Sequence, residues 1–206
     1  TAGAVTAAGT IATSSDNLSL GAVTLASGQN LTLDTGNAGG GDVSVTSIAG
    51  VAGGTAENVT LESGSGTIDV SSTIGTDIGT LSLQEDNAGA TGAVTLSGGV
   101  TAATLTTFGR NYDVSLLEGG TVTNAATFLN TGTTQIGDAT GDTTTFNGGL
   151  TATAGAVTAA GTVATSQDNI ALGAITLVEA QSLTLDTAET GGGNITVASL
   201  TGVAGG

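Results

Sequence analysis

Cysteine, histidine, proline, methionine and tryptophan are all absent from these 206 residues. Without cysteine there is no disulfide framework and no thiolate metal site. Without histidine the commonest general base and metal ligand is missing. Arg110 is the only basic residue against 17 Asp and Glu, giving a formal charge of -16. Neutralising nucleic-acid phosphates takes clustered Lys and Arg, so nucleic acid is not an expected partner. Anionic membrane surfaces repel such a chain. No uninterrupted apolar run approaches the ~20 residues of a spanning helix, so membrane insertion is not expected either.

The lack of proline has a structural meaning. Proline is tolerated on edge strands and in loops, but not in strands paired on both sides. A chain of this length at ordinary usage would hold roughly ten. Its absence points to a backbone paired on both sides along most of its length, as in a solenoid.

What is present is a long internal repeat. Residues 1–54 return, edited, as residues 153–206, so the period is 152 and about 36 of the 54 positions are identical. Residues 1–152 read as one full repeat and residues 153–206 as the start of the next, continuous with the first. The chain opens without an initiator Met or a signal-peptide pattern, which fits an internal segment of a longer array. Ile11, Leu18, Val23, Val43 and Ile48 become Val163, Ile170, Ile175, Ile195 and Leu200. Aliphatic side chains of similar volume replace one another, as at buried positions. Ala26, Ser27 and Gly28 become Val178, Glu179 and Ala180, and Gly36, Asn37 and Ala38 become Ala188, Glu189 and Thr190. Such free editing belongs to exposed turns.

The recurring local unit is a short strand with two aliphatic residues separated by one polar residue. It reads NLSL from Asn17, NLTL from Asn30, DVSV from Asp42, NVTL from Asn58, TIDV from Thr67, TLSL from Thr80 and DVSL from Asp113. Period-two alternation marks strands with one buried face. Gly- and Asn-rich turns separate them, and no 3.6-residue pattern is present. The expected fold is all-β, a parallel β-solenoid (β-helix) built from tandem repeats. A coil of about 20 to 25 residues gives six or seven coils per repeat, each rising about 4.8 Å. The rival is a string of β-sandwiches, which would need larger core residues and some proline. The strand starts are irregularly spaced, so the sequence alone does not phase the coils.

The stretch YDVSLLEGGTVTNAATFLNTGTTQIGDATGDTTTFNGGLTATAGAVTAAG, from Tyr112 to Gly161, resembles the β-strand-repeat regions of giant bacterial surface proteins. It is broadly similar to filamentous-haemagglutinin-type adhesins. GGTVTNAATFLNTG and TTTFNGGLTATAGAVTAAGT carry the likeness. The resemblance implies a secreted, parallel β-helical stalk, often part of an adhesin or matrix protein.

Candidate sites are few. Asp138 and Asp142 in GDATGD, and Glu85 and Asp86 in QEDNAG, are the candidate metal ligands, because calcium is held by carboxylate, carbonyl and water oxygens. Neither stretch matches an EF-hand loop or a GGxGxD repeat. Solvated turn carboxylates are the plain reading. Paired carboxylates also hydrolyse glycosides, but the aromatic platforms that such sites use are nearly absent and no catalytic residue is assigned. No cofactor is required, with calcium the one candidate. Clustered Thr, as in Thr143–Thr145, suggests an ice-binding ladder, against which the irregular strand spacing argues. Asn17, Asn30, Asn58 and Asn194 match N-glycosylation sequons. Arg110 in FGRNYD reads as a local partner for Asp113 or a nearby carbonyl. The expected function is a structural stalk or fibre segment of an extracellular bacterial surface or matrix protein, not an enzyme. Its partners would be adjacent repeats or copies of itself end to end. The alternative is a calcium-dependent carbohydrate- or surface-binding adhesin module.

Overall fold

The computed structural model describes residues 3–36, 39–85, 89–188 and 190–203. These residues hold 23 strands and no helix. The strands follow one another around three faces and then climb one coil, pairing in parallel with the coils below and above. On the first face Val5, Val23, Ile48, Ile74, Val100, Gly120, Thr144, Val163 and Leu185 pair in succession. On the second, Gly9, Leu31, Val59, Leu81 and Leu105 lead, through the Thr106–Thr127 pair, to Ala126, Leu150, Ile170 and Ile195. On the third, the series is Leu18, Val43, Ile68, Val94, Val114, Thr134, Val157, Ile175 and Leu200. The molecule is a parallel β-solenoid.

The core is the axial stack of inward side chains. Leu31, Leu33, Val43, Val45, Val59, Leu61, Ile68, Val70, Leu81 and Leu83 are all buried. Leu18 and Leu20, expected inside with them, are half-buried because they lie near the first coil and pack against the stack from one side. Three aromatics thicken the later coils. Phe128 and Phe146 meet edge to face with ring centroids 6.1 Å apart, and Tyr112 donates its hydroxyl to the Leu83 carbonyl, 2.9 Å away. Burial holds the Tyr112 phenol above its usual range. Among the described residues the side-chain amides of Gln84 and Asn130 are both fully buried. Asn130 Nδ2 donates to the Tyr112 carbonyl and the Thr134 hydroxyl, so the polar group is satisfied inside the stack.

The coils are unequal. On the third face the step from Ile68 to Val94 takes 26 residues and that from Val157 to Ile175 takes 18. Turns absorb the difference while the strands keep register.

The sequence repeat is out of phase with the coil. Strands Val5–Ala7, Gly9–Ala12, Leu18–Leu25, Leu31–Asp34 and Val43–Ala49 recur 152 residues later with the same bounds. Yet Val5 lies on the first face and its counterpart Val157 on the third. Likewise Leu31 lies on the second face and Leu183 on the first. Twenty strand positions, at three per turn, separate Val5 from Val157. One repeat is therefore six and two-thirds turns, about 32 Å of rise at the usual strand spacing.

One corner of the prism is built from glycine. Gly41, Gly66, Gly92, Gly132 and Gly155 each stand two residues before a third-face strand and lie over one another or over a neighbouring backbone. A Cβ on Gly92 would sit 1.6 Å from the Gly66 carbonyl oxygen, and one on Gly155 would sit 1.8 Å from that of Gly132. Backbone is stacked on backbone there, and no side chain fits. Gly92→Ala is expected to cost about 3 kcal/mol or more, as forced overpacking does at its severe end. Gly141→Ala, where a Cβ meets nothing within 4 Å, should stay within about 0.5 kcal/mol. Denaturant titration of both variants checks this.

Candidate functional site

The structure brings Asp138 and Asp142 together and leaves Glu85 elsewhere. In the turn after strand Thr134–Ile136, the Asp142 Oδ2 accepts the N–H groups of Asp138 and Ala139 at 2.9 and 2.8 Å. Asp142 is thus a turn cap, the ordinary task of an Asp that returns to its own backbone. Asp138 is exposed, and its carboxyl is held above the usual range by desolvation, then by the charge of Asp142. Glu85 is exposed and follows a second-face strand, so it belongs to a different corner from the Asp138 turn. Asp86 lies outside the described residues, as do Asn37, Ala38 and Glu189 of the edited turns. Among the described residues no group of three or more acidic side chains is placed to hold a metal.

The polar residue before several second- and third-face strands has a function the alternation pattern did not show. Asn17 Oδ1 accepts the Asp42 N–H at 2.9 Å, and Asp42 Oδ1 accepts the Thr67 N–H at 2.8 Å. On the second face Asn30 serves Asn58, and Asn58 serves Thr80. Asp113 serves Thr133, and Asn169 serves Asn194. Each Asn carbonyl or Asp carboxylate oxygen accepts the N–H of the same position one coil further on. These corner N–H groups bond outside the backbone ladder at exposed or half-buried positions, and the side-chain oxygen one coil earlier holds them in register. The Asn-x-Ser/Thr pattern arises from this: Asn at the corner, an aliphatic residue inward, Ser or Thr outward. The residues matching sequons are structural corner residues.

Outward threonines form a more regular array than irregular spacing suggests. On the second face Thr10, Thr32, Thr60, Ser82, Thr106, Thr127 and Thr151 pair in line, broken at Ala171 and resumed at Thr196. Unequal turns do not disturb register, so the expectation drawn from spacing is corrected. The ladder is one residue wide. Arg110 follows the second half of its expectation. Its Nη1 donates to the Gly109 carbonyl at 3.2 Å, while Asp113 is occupied by Thr133.

Two features escaped the sequence reading. The first is a buried carboxylate, Glu57, at the corner before strand residue Val59. A Glu between TA and NVTL carries no sequence mark of burial, because strands flank it on one side only. The second is the open end of the stack. Ile175, Leu177, Leu183, Leu185, Val197 and Leu200 line an apolar depression there. Ile195 and Leu200 are 46% and 61% exposed, whereas their counterparts Val43 and Ile48 are fully covered by the next coil. No family model, no curated protein and no solved structure matches the chain.

The two shifted aspartates act oppositely on stability. The Thr67 N–H and hydroxyl hold Asp42 below its ordinary value of 3.8. Its contribution is present above that value and is lost as pH falls through the lowered one. Asp138 is raised, so its contribution is present below 3.8 and is lost as pH rises through the raised value. Asp138→Asn should therefore stabilise at pH 7, by at most about 0.5 kcal/mol for so exposed a group. At pH 3 it should have no effect. Paired thermal melts at the two pH values test this.

Proposed function

We propose that this protein is a structural stalk or fibre segment of an extracellular bacterial surface or matrix protein. The observation that carries the reading is the unbroken parallel pairing of each coil with the next on all three faces, a stack in which every coil is lid and partner to its neighbour. In the first copy of the repeat, the side chains of strands Leu31–Asp34 and Val43–Ala49 are roofed by residues Glu57–Glu62, Ile68–Val70 and Ile74–Gly75. In the second copy Leu183, Leu185 and Val197 are half-buried, and Ile195 and Leu200 are exposed.

The surface supports the same reading. The flanks carry Ser, Thr and acidic residues, and a strong like charge keeps neighbouring rods apart while axial contacts are apolar. The chemistry of a stalk is mechanical. A load along the axis is shared over inter-coil hydrogen bonds on three faces and over the inward aliphatic stack. The partners are adjacent repeats of the same chain type.

The test appends residues 55–83 after Gly206 in the same polypeptide. The added coil should bury Ile195 and Leu200 and raise the unfolding midpoint by several degrees. Native material in the electron microscope should show rods. Globular particles, together with an extension that leaves the midpoint unchanged, would contradict the stalk.

A further inference from the structure

We propose that Glu57, Asp77 and the Thr76 main-chain carbonyl form a calcium site inside a corner of the solenoid. Glu57 is fully buried. Its Oε1 accepts the Gly28 N–H from the coil below at 2.9 Å, while Oε2, equally enclosed, has no hydrogen-bond partner. The Oδ2 atom of Asp77 is enclosed and without a hydrogen-bond partner too. The two residues adjoin, since the Glu57 N–H donates to the Asp77 carbonyl at 3.0 Å.

Enclosed anionic oxygens without partners are costly, and the remedy is either a proton or a cation. The only basic side chain of the protein, Arg110, is engaged with the Gly109 carbonyl at another corner. The surroundings of Glu57 favour a metal ion. Above Gly50 a Cβ would lie 2.2 Å from Glu57 Oε2, 2.6 Å from the Thr76 carbonyl oxygen and 3.2 Å from that of Asp77. One carboxylate oxygen and two carbonyl oxygens therefore gather over a residue that has no side chain. Thr76 and Asp77 both take positive φ, 59° and 54°; their carbonyls accept the Gly50 and Glu57 N–H groups at 2.8 and 3.0 Å, and each keeps a second lone pair for a cation.

Oxygen ligands in this mixture suit a hard cation. Calcium takes about six to eight oxygens from carboxylates, main-chain carbonyls and water, in a flexible shell. Magnesium demands a nearly ideal octahedron and keeps more of its water, so an irregular corner of this kind favours calcium. Two carboxylates balance the charge. The site differs from the Asp138–Asp142 turn, where Asp142 already caps two N–H groups. It joins three coils, since Gly28, Glu57 and Asp77 lie on successive levels. Calcium would stiffen the rod there, whether or not the rod serves as a stalk.

The experiment uses the full 206-residue chain, freed of metal with EDTA, in about 0.15 M NaCl to screen diffuse counterions. Calorimetric titration with calcium chloride should show one site per chain. At calcium about 100-fold above its Kd the unfolding midpoint should rise by roughly 5 °C. Glu57→Gln keeps an oxygen for the Gly28 N–H and should fold, but lose the calcium heat and the shift. Asp77→Asn should weaken both, and serves if Glu57→Gln does not fold. The Asp138→Asn/Asp142→Asn double variant should bind like the wild type. The proposal is overturned by a wild type indifferent to calcium, by an equal response to magnesium, or by binding that survives in Glu57→Gln and is lost in the double variant.

Discussion

Parallel backbone pairing between successive coils is the interaction on which the rest of the molecule depends. Each coil is at once the hydrogen-bond partner and the apolar lid of its neighbour. An internal strand has no free side, which leaves no place for proline. The same pairing sets what corners accept. Where backbone lies directly on backbone, as at Gly66 and Gly92, only glycine fits. Where a corner N–H departs from the ladder, an Asn or Asp one coil earlier supplies the acceptor, as Asn58 does for Thr80. Stability in such a stack is a sum of neighbouring contacts rather than of one central core. An end coil that lacks one neighbour loses half of these contacts, which is why Leu200 is exposed while Ile48 is not.

The two-thirds turn left over in each repeat has consequences for the surface. Copies of one sequence occupy different faces, so the three faces must make the same demands of it. They share one pattern, an outward residue between two inward ones, with Gly120 and Thr144 standing inward on the first face and Asp69 and Gln135 outward on the third. The Gly-rich turn before Val43 stands at the corner leading to the third face, and its copy before Ile195 at the corner leading to the second. Whatever a repeat displays is thus turned by a third of a circle in the next. Three repeats of this period would return it to the starting face. Repeated surface features then spread evenly around the rod.

Much of this was legible in the chain. Alternation in NLTL and DVSV marked inward pairs, and the copy-to-copy swaps at Val43 and Ile48 marked burial. The β-solenoid followed from these together with the missing proline. Phasing did not follow, for a physical reason. First-face strands such as Gly120–Val122 and Thr143–Phe146 carry Gly or Thr at inward positions, so their alternation is faint. Turns of unequal length then hide the regular register that pairing restores. The acidic turn at Asp138 and Asp142 was visible as a cluster, but its capping role is a matter of backbone geometry. Glu57 was invisible because its burial depends on Gly28 of the coil below and on Thr76 and Asp77 of the coil above, residues far from it in sequence.

The three-faced register and its phase offer the sharpest test of this account, and the absence of native cysteine makes it clean. Thr158 pairs with Gln135 on the third face, whereas a repeat of whole turns would place it over Thr145 on the first. Cysteine pairs introduced at residues 135 and 158, and separately at residues 145 and 158, report which holds, since a disulfide needs Cα atoms within about 7 Å. Under mild oxidation the Gln135→Cys/Thr158→Cys pair should close an intramolecular disulfide, read by mass and thiol count, and the Thr145→Cys/Thr158→Cys pair should stay reduced. Bridging by the second pair and not the first would contradict the account.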